Sequence, residues 1–412
     1  MRADRYRLPL AVGVAVVAAG AATLLLRPRG GVLEPAAVEV AAYFSPDDLQ
    51  RAEGYRGPQR LIGLGSLALT GGALVLMAIR PPAPVRRALE RASRRPYAGG
   101  AAAGAGISLV LVAVTLPLAA VAHDRARGVG LSTQDWLPWL GDTAKAAGIG
   151  ALMAAGGAAI GLALLRRFPR HWWASASVAL VALSAAFVYA SPVVIEPLFN
   201  RFEPLPQGEL RGDVVALAQR AGVDVGEVYR VDASRRTTGA NAYVGGLGAT
   251  KRVVLYDNLI ERFPPEEVRS VVAHELAHVK HRDVPRGLLW LAIVAPPGLF
   301  LVKTAGERFG LLPSDRGQAT ATALPALALA LGLVSFAGGI ASNVLSRQVE
   351  ARADAFALKL TDDPAAHIGL ERRLSRQNIS DPDPPDVLHR LFGTHPKTVD
   401  RIGYGLTYAE GR

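Results

Sequence analysis

The chain has 412 residues, half of them apolar and only 6% aromatic, with 46 basic residues against 35 acidic ones and a formal charge of +11. Apolarity drawn mainly from Ala, Leu, Val and Gly in long runs is a membrane composition. There is no cysteine, which excludes disulfides, thiolate ligands and a cysteine nucleophile, so a metal here would be held by His, Asp or Glu.

Five apolar runs fill the first half: Leu8 to Leu26, Leu61 to Ile79, Ala98 to Ala122, Ala146 to Leu165 and Ala174 to Ile195. Each is long enough for a hydrocarbon layer of roughly 30 Å, which takes about 20 helical residues. The first run follows Arg2, Arg5 and Arg7 and could be read as a secretory signal, but it exceeds the usual signal core of about 7 to 15 residues and is read as a retained helix. Two further runs, Leu288 to Val302 and Thr320 to Ala341, bring the expected spans to seven. The sixth contains Pro296 and Pro297, so it is expected to kink or to lean on its neighbours. Trp136, Trp139, Trp172 and Trp173 are expected at the membrane interface. Basic residues cluster between the spans, which points to anionic lipid headgroups and away from nucleic acid. They divide almost evenly between the two sides, so the positive-inside rule leaves orientation open.

The polar stretches divide the chain into residues 1–195 with five spans, 196–287, 288–341 with two spans, and 342–412. Within 196–287, Leu210 to Ala221 reads as a helix, Glu227 to Val231 and Lys251 to Tyr256 as strands, and residues 240–256 as a hairpin turning at Gly245, Gly246 and Gly248. Pro264 and Pro265 followed by Glu266 and Glu267 mark a helix start, and that helix should end near Arg282, before Pro285.

On it lie His274, Glu275 and His278. Residues four apart share a helical face, so two imidazoles can converge on one ion with Glu275 beside it, placed to take a proton from water at the metal. A catalytic zinc typically takes three protein ligands. His281 lies too far along the axis and is expected to be solvated or to support a ligand. Glu350, just past the seventh span, is the expected third ligand, with Asp354 on the same face to accept the other ring N–H of a ligand histidine.

With these motifs the chain resembles the type I CAAX prenyl proteases, membrane gluzincins related to the bacterial HtpX heat-shock proteases. The resemblance runs from Pro197 onward through Leu198 to Leu205, Asn241-Ala242-Tyr243, His274-Glu-Leu-Ala-His278, Glu350 with Asp354, Thr394-His395-Pro396 and Arg401-Ile402. Ala240 and Ala277 stand where the family often has Ser and Gly. Five spans before the histidine helix favour the prenyl-protease branch over the shorter HtpX branch. The resemblance implies a mainly α fold, with about seven helices around a water-filled chamber and a small α+β protease domain. It implies one Zn2+ per chain, held by His274, His278 and Glu350, with Glu275 and His395 catalytic. Asp354 and Arg401 would support the ligands, and Asn241, Ala242 and Tyr243 would bind the peptide backbone.

An exposed strand at Asn241 to Tyr243 can pair with an extended peptide, and His395 could donate to an oxyanion. The expected activity is hydrolysis of peptide bonds in membrane-associated peptides or proteins, lipid-modified or not, by a multi-pass protein. The Ala-, Gly- and Arg-rich composition points to a bacterial plasma membrane. Quality-control proteolysis of the HtpX kind is the alternative within this class, and a polytopic transporter or metal-binding protein the alternative outside it. The scarcity of charges within the spans argues against an ion relay.

Overall fold

A computed structural model describes residues 2–224, 226–312 and 319–411; residues 313–318, in the loop between the sixth and seventh expected spans, lie outside the described residues. Among the described residues, seven helices are long and apolar enough to cross a membrane. They are α1 (Arg2–Leu26), α2 (Pro46–Ile79), α3 (Pro96–Gly128), α4 (Trp136–Arg167), α5 (Trp172–Val194), α8 (Asp283–Arg308) and α9 (Leu324–Thr361). All seven expected spans are present. Pro296 and Pro297 fall inside α8, which packs against α1, α5 and α9.

Neighbour contacts run in a closed circuit, α8 to α9, α2, α3, α4, α5 and back to α8, with α1 laid against α8 and α9. One end of this ring is plugged by an apolar cluster that includes Leu74, Met77, Leu162, Leu165, Trp172 and Val302. Those residues lie at the ends of their helices farthest along the chain from the polar segments. The opposite end carries the polar segments. The start of α1 and the end of α9 therefore lie at opposite ends of the bundle.

Small residues set the closest approach in the ring. A Cβ on Gly104 would fall 2.5 Å from the Ala154 carbonyl oxygen and 2.6 Å from the Ala158 Cβ, and one on Gly100 would fall 2.5 Å from Leu162 Cδ1. Helices in lipid associate by such packing. Gly104→Val is expected to push α3 from α4 at a cost of about 1–3 kcal/mol, read as a lower unfolding midpoint in detergent with the metal site intact.

The polar segments form one layer over the open end. A four-stranded sheet has the order β1 (Phe202–Pro204), β2 (Glu227–Val231), β4 (Arg252–Tyr256), β3 (Ala242–Gly245). The expected hairpin is the antiparallel β3–β4 pair. Sequence reading did not find β1, which has three residues and a proline, or the parallel pairing of β2 with β4. Behind the sheet, Val214 and Leu217 of α6 (Glu209–Ala221), Leu255 of β4, Val272 and Leu276 of α7 (Pro265–His281), Ala357 of α9 and Leu370 of α10 (Pro364–Gln377) close a core. A last helix, α11 (Thr398–Glu410), packs against α9 and α10. Ion pairs join this layer to the ring: Arg236 with Asp142 of α4 at 2.8 Å and Arg60 of α2 with Asp381 at 2.5 Å.

The seventh span does not stop at Ala341. α9 continues for 38 residues as a single helix from the plugged end into the polar layer.

Candidate active site

α7 starts on Pro265 with Glu266 and Glu267 in its first turn and ends with His278, Lys280 and His281 in its last, charges that complement the helix dipole at both ends. Its central turns from Ser270 to Ala277 are buried, so the backbone under His274 and Glu275 is fixed on all sides. α9 passes beside it and presents Glu350 and Asp354 one turn apart, both buried.

Ligand atoms of His274, His278 and Glu350 lie within 4.8 Å of one another. The two Nε2 atoms face each other at 3.3 Å, and the Glu350 carboxylate lies 3.2 Å from one and 3.7 Å from the other. Each Nδ1 is turned to an acid, His274 to Asp354 at 2.8 Å and His278 to Asp283 at 3.0 Å. Those acids hold the hydrogen on Nδ1, leaving two Nε2 lone pairs and a carboxylate aimed at one point. That donor set suits a divalent cation.

Burial works against charge on His274, but Asp354 and Glu350 overcome it and raise its pKa to about 10 without a cation. Metal uptake by stripped protein at pH 7 is therefore expected to release protons, measurable as a buffer-dependent binding heat.

Glu275 stands beside this group. Burial raises its carboxyl above the ordinary value, while His274 and His278 pull it back. Its Oε2 accepts from the backbone N–H of Val244 at 3.1 Å. β3 is the edge of the sheet, and Tyr256 N–H donates to Asn241 C=O. Antiparallel alternation then turns the backbone groups of Ala242 and Val244 outward, along the free edge facing α7. The Ala242 side chain is buried, and the Tyr243 hydroxyl donates to Glu196 at 2.6 Å, so these side chains hold the strand in place. Asn241 Oδ1 accepts from the Ala242 N–H at 3.0 Å.

His395 is brought to the same place from the far end of the chain. Its Nε2 lies 3.4 Å from Glu350 Oε2, with 60% of the side chain exposed. Arg401 is half-buried and does not touch Glu350; it donates to both oxygens of Asp354 at 2.5 and 2.8 Å and pairs with Glu371 at 2.9 Å. Asp354, His367 and Glu371 form a second cluster with metal-like spacing, but the Arg401 guanidinium already supplies its positive charge. His281 turns away from the site to meet the ring of Phe356 edge-on.

From the sequence, Asp283 could be read either as a support for a ligand histidine or as a helix-end charge. It accepts from His278 on one oxygen and from Arg352 at 2.5 Å on the other. The signal was its place five residues after His278, but only the fold brings Arg352 to meet it. Asp283→Asn is expected to weaken metal binding by about 10–100-fold, read by competition with a chelator. Arg282, between α7 and α8, adopts a left-handed conformation with φ 55° and ψ 47°, a position that favours glycine.

A sequence model described as peptidase family M48 matches residues 204–404, and one described as the CAAX prenyl protease N-terminal region, five membrane helices, matches residues 126–201. An uncharacterized metalloprotease of Bacillus subtilis, YhfN, is 30% identical over 300 residues, 72% of this chain and 70% of the relative. A CAAX prenyl protease 1 homolog of Oryza sativa is 31% identical over 233 residues, 54% of this chain and 53% of the relative, so the match spans about half of that protein's length. A crystal structure of S. mikatae Ste24p shares the fold, with a TM-score of 0.76 at 19% identity over 97% of this chain and 98% of that one. Fold and site together define an integral-membrane metallopeptidase. The chain belongs to peptidase family M48, which leaves the transporter reading without support.

Proposed function

We propose that this protein is a zinc endopeptidase of a bacterial plasma membrane that cleaves membrane-associated peptides or protein termini, with residues 196–287 and 342–412 forming one catalytic domain over the two sets of spans. The supporting observation is the convergence of His274 Nε2, His278 Nε2 and the Glu350 carboxylate on one point while both Nδ1 atoms are held by acids. These three residues would hold a single zinc ion. Zinc bound there supplies a Lewis acid that polarises a peptide carbonyl and makes water a nucleophile near neutral pH.

The chain's own groups do the rest. The outward-facing carbonyls of Ala242 and Val244, and their N–H groups once a peptide displaces Asn241 and Glu275 from them, pair with an extended peptide and orient its scissile carbonyl toward Glu275. Glu275 takes the proton of the attacking water and returns it to the departing amine. His395 donates from the solvent side to the oxygen on which negative charge develops. Asp354 and Asp283 keep the two imidazoles in the correct tautomer, and Arg401 holds Asp354.

Purified protein offered a prenylated peptide and an unmodified one of equal length tests the substrate. Strong preference for the prenylated peptide supports a CAAX-type substrate, as in the relatives' names; equal cleavage points to broader, quality-control proteolysis. Cleavage of neither, with metal bound, would overturn the endopeptidase reading.

A further inference from the structure

Next to the metal group lies a cavity of about 380 Å³ that the reaction as described does not use. His278 forms one side of it, and Val244 at the end of the free strand edge forms another. Leu247, Val279 and Pro285 make its wall apolar. Two cations, Lys251 and Arg282, also line it. Among the described residues neither cationic head has an ion-pair or hydrogen-bond partner, although the neighbouring Arg252 is paired with Glu196 at 2.8 Å.

The chain places Arg282 at the left-handed cap of α7, where a glycine would sit without strain. A peptide laid along β3 would pass Val244, which lines the cavity, and its side chains would alternate between the two faces of the strand, which puts one set within reach of it. The cavity's walls are apolar, and its two cations, Arg282 exposed and Lys251 half-buried, carry no protein counter-charge among the described residues, so the complementary group is a carboxylate on a short aliphatic stem.

We infer that this cavity is a specificity subsite selecting an acidic side chain within a few residues of the cleaved bond, with Lys251 and Arg282 as its determinants. The inference rests on β3 being the peptide-binding edge.

The test uses the full-length protein in nanodiscs of neutral phosphatidylcholine and one peptide sequence. Glu, Gln and Lys are placed in turn at each of the three positions on either side of the cleaved bond. At one position kcat/KM is expected to favour Glu over Gln by about tenfold or more, the scale of one hydrogen bond to a charged group, with Lys poorest. In Lys251→Gln/Arg282→Asn, where Asn tolerates the left-handed backbone, the Glu-to-Gln ratio is expected to fall to about one whatever the absolute rate.

Dissociation constants of the same peptides on metal-loaded Glu275→Gln protein should show the same ratio. That preference in binding, with no cleavage by the parent protein, would support the subsite and overturn the hydrolytic reading. Equal handling of Glu and Gln at every position, in binding and in cleavage, overturns the subsite. So does an effect of the double variant that appears only when phosphatidylglycerol is added, which would make the cavity a lipid-headgroup site.

Discussion

Glu275→Gln in detergent-purified protein is expected to keep its metal and its fold and to lose about 10²–10⁴-fold in kcat. Gln fills the same volume and can still accept from the Val244 N–H, as Glu275 does at 3.1 Å, so the buried helix is undisturbed. The variant lacks a group that can take a proton. Because His274, His278 and Glu350 are unchanged, metal content by elemental analysis should match the parent. KM should move little, since the lost interaction belongs to the transition state. Retained metal with undiminished cleavage would remove Glu275 from the mechanism.

The second large effect is expected at Asp354, which touches no substrate. It is completely buried and accepts from His274 Nδ1 and from two nitrogens of Arg401. Asp354→Ala leaves the half-buried Arg401 guanidinium with Glu371 as its remaining ion-pair partner among the described residues. Removing one member of a buried ionic network costs about 3–5 kcal/mol, so denaturant unfolding should shift well to lower concentrations. His274 also loses the acceptor that fixes its tautomer, and metal affinity should fall with stability. Restoring stability through the double change Asp354→Asn/Arg401→Gln without restoring affinity would separate the two roles. A single Asp354 variant as stable as the parent would show that the network does not hold α9 to α11.

The spans were legible because 20-residue apolar runs have few alternatives in a chain of this composition. His274, Glu275 and His278 were legible because one helical period brings them together. Glu350 and Asp354 needed the additional step of pairing two distant segments, and the resemblance supplied it. Other features escaped for physical reasons. β1 is three residues long and takes its hydrogen bonds from β2, so no local pattern marks it. Asp283 looks like an ordinary helix-start acid until Arg352, 69 residues on, reaches its other oxygen. Arg401, one positive charge among 46, was named only through the resemblance; its pairing with Asp354 and Glu371 shows in the fold alone.

The 38-residue helix α9 begins at the plugged end of the ring and carries Glu350 some 26 residues later, about 39 Å along the axis at 1.5 Å per residue. Its lower part is held by hydrocarbon and its upper part by the metal group, so it is a rigid lever between the two. A membrane thinner or thicker than its apolar stretch is accommodated by tilt, and a few degrees at the foot of such a lever displaces the carboxylate by an ångström or more. Bilayer thickness thereby becomes a mechanical input to the coordination geometry, and synthetic membranes of graded acyl-chain length are the natural dial for it.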